Sequence, residues 1–381
     1  MLRALSLLMG FTCILNTEQL KIYIFNVGQA DSQLIVFPSG YSILIDVGEI
    51  NGEPGENAKY VSKRIEEILG KKEIDVVVLS HLHWDHYGGK GEGGIWYLLE
   101  KEDFTFKKYI DRNYGVYEGE KLADCTRETM TWNIVGDPAN VAYACYATSK
   151  KEQTKLSAIR EVAEVCSTTQ INPPDEGAEV EIVMTDALCV TNRTGFPLDR
   201  DWQDDPEDIK RPNENDYSIC LRIQYGDFVY STCGDLSGNE YGNYDTKYHN
   251  IETPVAPMMG EVDLYHVNHH GSSSATNEYW AKTLKPTVSV FSCGENSEYG
   301  HPSLNPLSNI NKYGKDMYLT NNCNQQNTNR YDNVHIYSDD VVITVPKDGK
   351  EFSVSKKDGS NVKLYPIKQN KPERQKCVKL G

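Results

Sequence analysis

Three histidines and one aspartate follow directly after a short apolar strand, and this cluster limits the fold of the 381-residue chain more than any other feature. The apolar run at residues 75–79 predicts a buried strand. It is followed at once by His81, His83, Asp85 and His86. In a turn leaving a strand, the first two histidines project to one side, and the other two side chains turn around a second point. This arrangement suits two metal ions that activate water. The alternative is a histidine-rich surface loop.

Further candidate ligands lie downstream, in short motifs that follow predicted strands. They are Gly234-Asp235, Asn268-His269-His270-Gly271-Ser272 and Gly300-His301-Pro302. A Gly-Asp or Gly-His-Pro sequence is also an ordinary turn, so each motif is weak when taken singly. Adjacent residues leaving a strand point in opposite directions, so either His269 or His270 can face the metals. The sequence leaves that choice open.

These motifs resemble the metallo-β-lactamase superfamily, whose signature is His-x-His-x-Asp-His after a hydrophobic strand. The flanking segments narrow the resemblance to a branch that includes the hydrolase domain of ComEC-type DNA-uptake proteins and phosphorylcholine esterase. The opening at residues 26–32 and the triplet Asp46-Val47-Gly48 resemble the "DVGQGDS … LIDVG" start of that branch. Asn26 and Ala30 depart from the pattern, which usually has Asp and Gly there, whereas Asp31 and Asp46 match it.

The resemblance implies two divalent ions, zinc or manganese, bridged by Asp235. One ion would be held by His81, His83 and one histidine of the "HHGS" box, and the other by Asp85, His86 and His301. The residues expected to act on the substrate are Asp85, His269 and His270.

Four polar residues are expected to support the ligands from behind. Asp46 would orient a ligand histidine through its ring N–H, although an Asx-turn at a strand end is the alternative. The other three are Asp31, Asn215 and Ser218. The last two belong to a segment that resembles the "NxxS" motif of the branch.

The predicted fold class is α/β, an αββα sandwich of two facing mixed sheets with outer helices, spanning residues 20–345. Residues 87–178 are interpreted as a variable insertion containing a helix at about 152–166. Residues 346–381 form a basic tail with one short strand candidate at 351–354, and the tail is otherwise expected to be solvated and partly disordered. An apolar run at residues 4–15 favours a signal peptide within residues 1–16.

Ten cysteines in a chain of this length do not by themselves indicate a disulfide scaffold. Cys189, Cys220, Cys233 and Cys293 lie in or beside predicted strands and are expected to be small buried thiols. The expected location is secreted or extracytoplasmic, with the cytoplasm as the alternative. No transmembrane helix is expected.

The charge distribution bears on the substrate. The net charge is −16, and the tail carries ten Lys and Arg against four Asp and Glu, so it is +6 and the remainder is −22. A strongly acidic body disfavours long nucleic acid. A small phosphodiester or a nucleic-acid end is therefore the predicted substrate. A carboxylic ester, lactone or amide is the alternative substrate, and a non-catalytic binding protein is a remote third hypothesis.

Overall fold

Two β-sheets face each other across a shared hydrophobic core in the computed structural model of the chain. The structure describes residues 18–50, 54–131, 138–186, 213–238, 249–295 and 297–377. Two further hydrophobic clusters cover the outer faces of the two sheets, where the helices pack. The layers are therefore helix, sheet, sheet and helix, and the predicted αββα sandwich is confirmed.

The first sheet has nine strands in the order β16-β15-β14-β1-β2-β3-β4-β5-β6. Its strands are β1 Gln19–Ile24, β2 Gln33–Val36, β3 Ser42–Ile45, β4 Glu73–Val78, β5 Thr105–Asp111, β6 Arg160–Val162, β14 Val341–Pro346, β15 Glu351–Lys356 and β16 Lys363–Pro366. Pairing is antiparallel from β16 to β3 and parallel from β3 to β6.

The second sheet has seven strands in the order β13-β12-β11-β10-β9-β8-β7. Its strands are β7 Ala178–Met184, β8 Cys220–Tyr225, β9 Phe228–Thr232, β10 Leu264–His266, β11 Val288–Phe291, β12 Asp316–Leu319 and β13 Val334–Ile336. The pairs from β9 to β13 are parallel, and the hairpin strands β7, β8 and β9 are antiparallel.

Eight α-helices lie in the described part of the chain. They are α1 Glu56–Leu69, α2 Trp84–Tyr87, α3 Gly94–Glu100, α4 Pro138–Thr148, α5 Glu252–Met259, α6 Glu278–Leu284, α7 Leu304–Tyr313 and α8 Gln325–Thr328. Helix α1 follows its predicted periodicity, burying Ala58, Val61 and Ile65, and ends at Gly70 with a positive φ of 68°.

Strand β4 shows why the metal motif has a fixed position. Val76 and Val78 point into the core between the sheets, while Ile74 and Val77 pack under the outer helices. Burying each such side chain stabilises the fold by about 1.5–3 kcal/mol. Because both faces of β4 are anchored, the residues that follow leave the sheet at a defined point.

The insertion differs from its predicted structure. Residues 152–166 form turns and the short strand β6 instead of a helix. Pairing of β6 with Tyr109–Asp111 and the ion pair between Arg160 Nε and Asp111 Oδ1, at 2.7 Å, outweigh the helical spacing of the apolar residues. The helix of this region is α4, which the sequence prediction missed.

The basic tail is not a solvated end, which corrects both its prediction and the domain boundary at residue 345. Strands β15 and β16 extend the first sheet beyond β14. Lys371 Nζ lies 2.7 Å from Asp263 Oδ2, and Arg374 pairs with Glu181. The acidic body thus neutralises much of the tail, and the tail completes the domain.

All eight cysteines in the described residues form disulfides, so the prediction of buried thiols was wrong for Cys220, Cys233 and Cys293. The pairs are Cys125–Cys145, Cys166–Cys377, Cys220–Cys233 and Cys293–Cys323. Cys189 and residues 1–16 lie outside the described residues. Within the described ranges, no helix is long and apolar enough to cross a membrane.

Candidate metal centre

The candidate ligands meet where several strands of the two sheets end. The metal motif follows β4, Asp235 follows β9, and residues 268–271 follow β10. The carboxyl ends of parallel strands open onto one edge of a sheet, which is a common position for ligand sites. The motifs therefore reach the same edge, although the first and last of their histidines, His81 and His301, are 220 positions apart in the sequence.

The first group of candidate ligands consists of His81, His83 and Asp235. His81 Nε2 lies 3.0 Å from His83 Nδ1 and 3.9 Å from Asp235 Oδ2. His81 is fully buried, and burial together with the neighbouring His86 holds its pKa well below the usual histidine range. A neutral imidazole is the form that binds a metal.

The second group consists of Asp85, His86, Asp235 and His270. His86 Nε2 lies 3.1 Å from Asp235 Oδ1, and His270 Nε2 lies 3.3 Å from Asp85 Oδ2 and 3.6 Å from Asp235 Oδ1. Asp235 is therefore shared by both groups, one carboxylate oxygen facing each. This is the position expected for a carboxylate that bridges two cations.

The hydrogen bonds behind the second group fix the direction of both imidazoles. His86 Nδ1–H donates to Asp46 Oδ2 at 2.8 Å, and His270 Nδ1–H donates to the Ser292 carbonyl at 2.8 Å. In the neutral form of each imidazole, Nε2 thus carries the lone pair and faces a carboxylate oxygen. Neither Nε2 makes a hydrogen bond within the described residues. Lone pairs opposed to anionic oxygens in a buried site fit a divalent cation.

The pKa values of His270 and His301 are shifted by the charges in and beside the second group of candidate ligands. Burial acts to lower the pKa of His270, but Asp235 and Asp85 together raise it to about 9. Burial and the charge on His270 lower the pKa of His301 to about 4. Either a proton on the imidazoles or a bound metal cation would balance the negative charge of Asp85 and Asp235.

The structure distinguishes the two adjacent histidines. His270 is buried in the second group, whereas His269 is 23% exposed with Nε2 3.5 Å from Asp235 Oδ2. Both have positive φ, 50° and 51°, so the alternation of an extended strand does not apply. His270 thus joins Asp85 and His86, which differs from the expected grouping with His81 and His83.

His301 lies beside the two groups and belongs to neither. Its ring centroid is 5.7 Å from that of His269 and 6.5 Å from that of His270, and the His270 and His301 rings are nearly parallel. His301 Nδ1 is buried without a hydrogen bond in the described chain. Its expected role as a ligand stays a prediction.

Asp46 and Asp31, which are expected to support the ligands, lie behind the second group. Asp46, with φ of 57°, accepts from the Ser80 backbone N–H at 2.7 Å in addition to holding His86. Asp31 accepts from the Ser292 hydroxyl at 3.2 Å, and the Ser292 carbonyl holds His270. Asp31 therefore affects His270 only indirectly, through Ser292.

Asn215 and Ser218 make no hydrogen bond to a candidate ligand. Asn215 Oδ1 and Ser218 Oγ are buried without partners in the described part of the chain. The segment instead touches the metal loop through its backbone, because Ile219 N–H donates to the Ser80 carbonyl at 3.0 Å. Their expected supporting role stays a prediction.

Sequence reasoning missed a buried carboxylate that orders the "HHGS" loop. Glu252 Oε1 accepts from Asn268 Nδ2 at 2.8 Å and from Thr276 N–H at 2.6 Å, and Oε2 accepts from Asn277 N–H at 2.7 Å. No local pattern marks Glu252, since its partners come together only in the folded chain.

Comparison with known proteins gives one matching family model. Residues 26–92 match the model of the metallo-beta-lactamase superfamily. A curated protein, "Recombination protein 2" of Haemophilus influenzae, is 22% identical over 108 residues, covering 28% of this chain and 12% of its own length. The chain therefore spans about an eighth of that relative.

Two solved structures have similar but distant folds. A putative metal-dependent hydrolase from Parabacteroides distasonis has a TM-score of 0.38 and 12% identity, covering 79% of this chain and 93% of its own. A diphosphatase of the PhnP family has a TM-score of 0.37 and 12% identity, covering 86% and 98%. Such low TM-scores do not bear on the activity of this chain.

The family match includes the strand β4, the whole His-x-His-x-Asp-His motif and Asp46. Those residues form one side of the buried cluster just described, at the edge of an αββα sandwich. The resemblance to the metallo-β-lactamase superfamily is thus confirmed over residues 26–92, and the expectation of a metal-dependent hydrolase agrees with that match.

Proposed function

We propose that the protein is a binuclear metal-dependent hydrolase that cleaves a small phosphodiester or the end of a nucleic acid. The observation that carries this proposal is the shared position of Asp235, whose two carboxylate oxygens face two separate groups of candidate ligands. Divalent cations held there, zinc or manganese, would lower the pKa of water and offset negative charge on the substrate.

The chain's own residues have distinct tasks in this proposal. Asp46 and the Ser292 carbonyl hold the Nδ1 atoms of His86 and His270, which would leave each Nε2 free to bind a cation. Asp85 closes the second group and is 29% exposed, so it also borders the substrate space. His269 is partly exposed beside Asp235 and is suited to donate a hydrogen bond to the leaving oxygen.

The phosphodiester is preferred because the branch that the motifs resemble cleaves phosphodiesters. A carboxylic ester, lactone or amide remains the second candidate, since fold and ligands do not fix the substrate.

A direct comparison of substrates tests the proposal. Protein stripped of metal and supplied with manganese or zinc is expected to hydrolyse bis(p-nitrophenyl) phosphate at least about tenfold faster than an uncharged lactone, because two cations stabilise added negative charge on phosphoryl oxygens. Release of p-nitrophenol and lactone opening are measured side by side, with chelator-treated protein as the control. Faster lactone opening would favour the second candidate, and no metal-dependent activity on either would count against the proposal.

We also propose an oxidising location, secreted or extracytoplasmic. The four disulfides support it, because structural disulfides persist mainly outside the reducing cytosol. Thiol titration of denatured, unreduced protein is expected to detect no more than two thiols per chain, from Cys13 and Cys189, out of ten cysteines. Reduction before the same titration serves as the control and should expose the rest. Six or more thiols without reduction would contradict the proposed location.

A further inference from the structure

The backbone N–H and carbonyl of Leu82, which lies between the two histidines of the first group, are each held by a polar side chain. Its N–H donates to Glu214 Oε1 at 2.8 Å. Its carbonyl accepts from Asn140 Nδ2 at 2.7 Å. Leu82 is fully buried, so neither backbone group has water as a substitute partner. The residues that hold it come from distant parts of the chain.

Glu214 is itself held by a buried cation. Arg112 Nε donates to Glu214 Oε1 at 2.6 Å, and Nη2 pairs with Oε2. Arg112 is completely buried, and its guanidinium lies 4.6 Å from the Tyr217 ring centroid and 5.6 Å from that of Tyr114. A two-point ion pair with aromatic rings beside the guanidinium leaves the carboxylate little freedom.

Asn140 is oriented in turn by the metal loop. The Tyr87 hydroxyl, at the end of helix α2, donates to Asn140 Oδ1 at 2.8 Å. Asn140 lies on α4, and Arg112 follows β5, so both belong to the insertion. The insertion therefore reaches the first metal group through the backbone of the loop instead of through a ligand of its own.

We propose that Glu214, fixed by Arg112, and Asn140 are positioning residues that set the spacing of His81 and His83 for metal binding. The two imidazoles flank Leu82 in the chain, and their facing nitrogens are 3.0 Å apart. The Leu82 N–H belongs to the His81–Leu82 peptide and the Leu82 carbonyl to the Leu82–His83 peptide, so the two hydrogen bonds fix the peptide plane next to each histidine. Rotation of either plane would turn the adjacent imidazole away from the other. This inference rests on the proposed metal site and concerns residues that never touch the metal or the substrate.

The experiment is a zinc titration of metal-free protein in competition with a chromophoric chelator, with the melting temperature recorded in parallel. Glu214→Gln and Asn140→Ala are each expected to weaken one of two zinc equivalents by about 10- to 100-fold, the usual effect of removing a group that orients ligands. The second equivalent should change little, since its imidazoles are held by Asp46 and Ser292.

Glu181→Gln is the matched control. Glu181 is a buried carboxylate paired with Arg374 in the second sheet, away from the metal loop. It should lower the melting temperature to a similar extent while leaving both zinc affinities within about twofold, because it disturbs no ligand. A purely structural role for Glu214 would give the same pattern as this control.

Folded Glu214→Gln or Asn140→Ala protein with both native zinc affinities would overturn the inference. If Glu214→Gln does not fold, Asn140→Ala decides, because Asn140 is only half-buried near the start of α4. A native chain that binds neither zinc nor manganese in such a titration would overturn the proposed function and this inference with it. Native binding with unchanged variants would overturn the inference alone.

Discussion

Asp235→Asn is expected to lower turnover by about a thousandfold, which corresponds to roughly 4 kcal/mol of lost transition-state stabilisation. Asp235 places Oδ1 3.1 Å from His86 Nε2 and Oδ2 3.9 Å from His81 Nε2, so it serves both groups. Asparagine keeps the size but removes the charge that offsets repulsion between two cations. Its amide N–H₂ would also donate to the imidazole nitrogens of His81 and His86, whose lone pairs are needed to bind the cations.

The measurement is kcat on a small phosphodiester at saturating manganese or zinc, together with the metal content of the purified protein. Asp263→Asn provides a matched control, because Asp263 is an equally buried carboxylate that accepts from Val229 N–H at 2.9 Å and pairs with Lys371. The control should retain turnover within a few-fold. Near-native turnover of Asp235→Asn would contradict the bridging role and the two-metal mechanism.

The positions that sequence reasoning predicted best are those whose spacing is local. In the metal motif, His81, His83, Asp85 and His86 lie within six residues that follow a buried strand, so their proximity is evident from the sequence alone. The Gly-Asp turn after β9 could be found because a hairpin of apolar residues delivers it. Asp46 was linked to a ligand histidine by the resemblance to the branch, and in the structure its strand, β3, pairs with β4 in parallel.

What the sequence could not predict depends on contacts between distant segments. The choice of His270 over His269 follows from two consecutive positive-φ residues and from the Ser292 carbonyl, which no pattern in the loop encodes. The hydrogen bonds that hold the Leu82 backbone join residues up to 132 positions apart. Neither can be read from periodicity, which reports on one element at a time.

The tail and the cysteines were misjudged for a related reason. The positive charge of the tail and its position at the end of the chain suggested a solvated segment. In the structure, β15 pairs with the edge strand β14 and β16 pairs with β15, and carboxylates of the acidic body pair with basic residues of the tail. Cys166 and Cys377, 211 residues apart, give no local signal of pairing. A count of cysteines in a long chain cannot distinguish disulfides from buried thiols.

The tail's position sharpens the expectation about substrate size. Outside the tail the charge is −22, and several basic residues of the tail pair with carboxylates of that body, so the tail's excess of +6 is partly neutralised. Long-range repulsion slows encounter with a long polymer and is screened by salt, whereas a small monoanion feels little of it.

We therefore expect kcat/KM at low salt to be at least about tenfold higher for a dinucleotide-sized phosphodiester than for kilobase duplex DNA, counted per cleavable end. The comparison is a rate series on full-length protein from low to moderate ionic strength, with the small substrate as internal control. Salt should raise the rate on DNA and leave the small substrate nearly unchanged. A cationic groove gives the opposite trend, because salt weakens binding that depends on counterion release. Rapid DNA cleavage that collapses as salt rises would therefore favour a nuclease with a basic binding surface over a small-substrate phosphodiesterase.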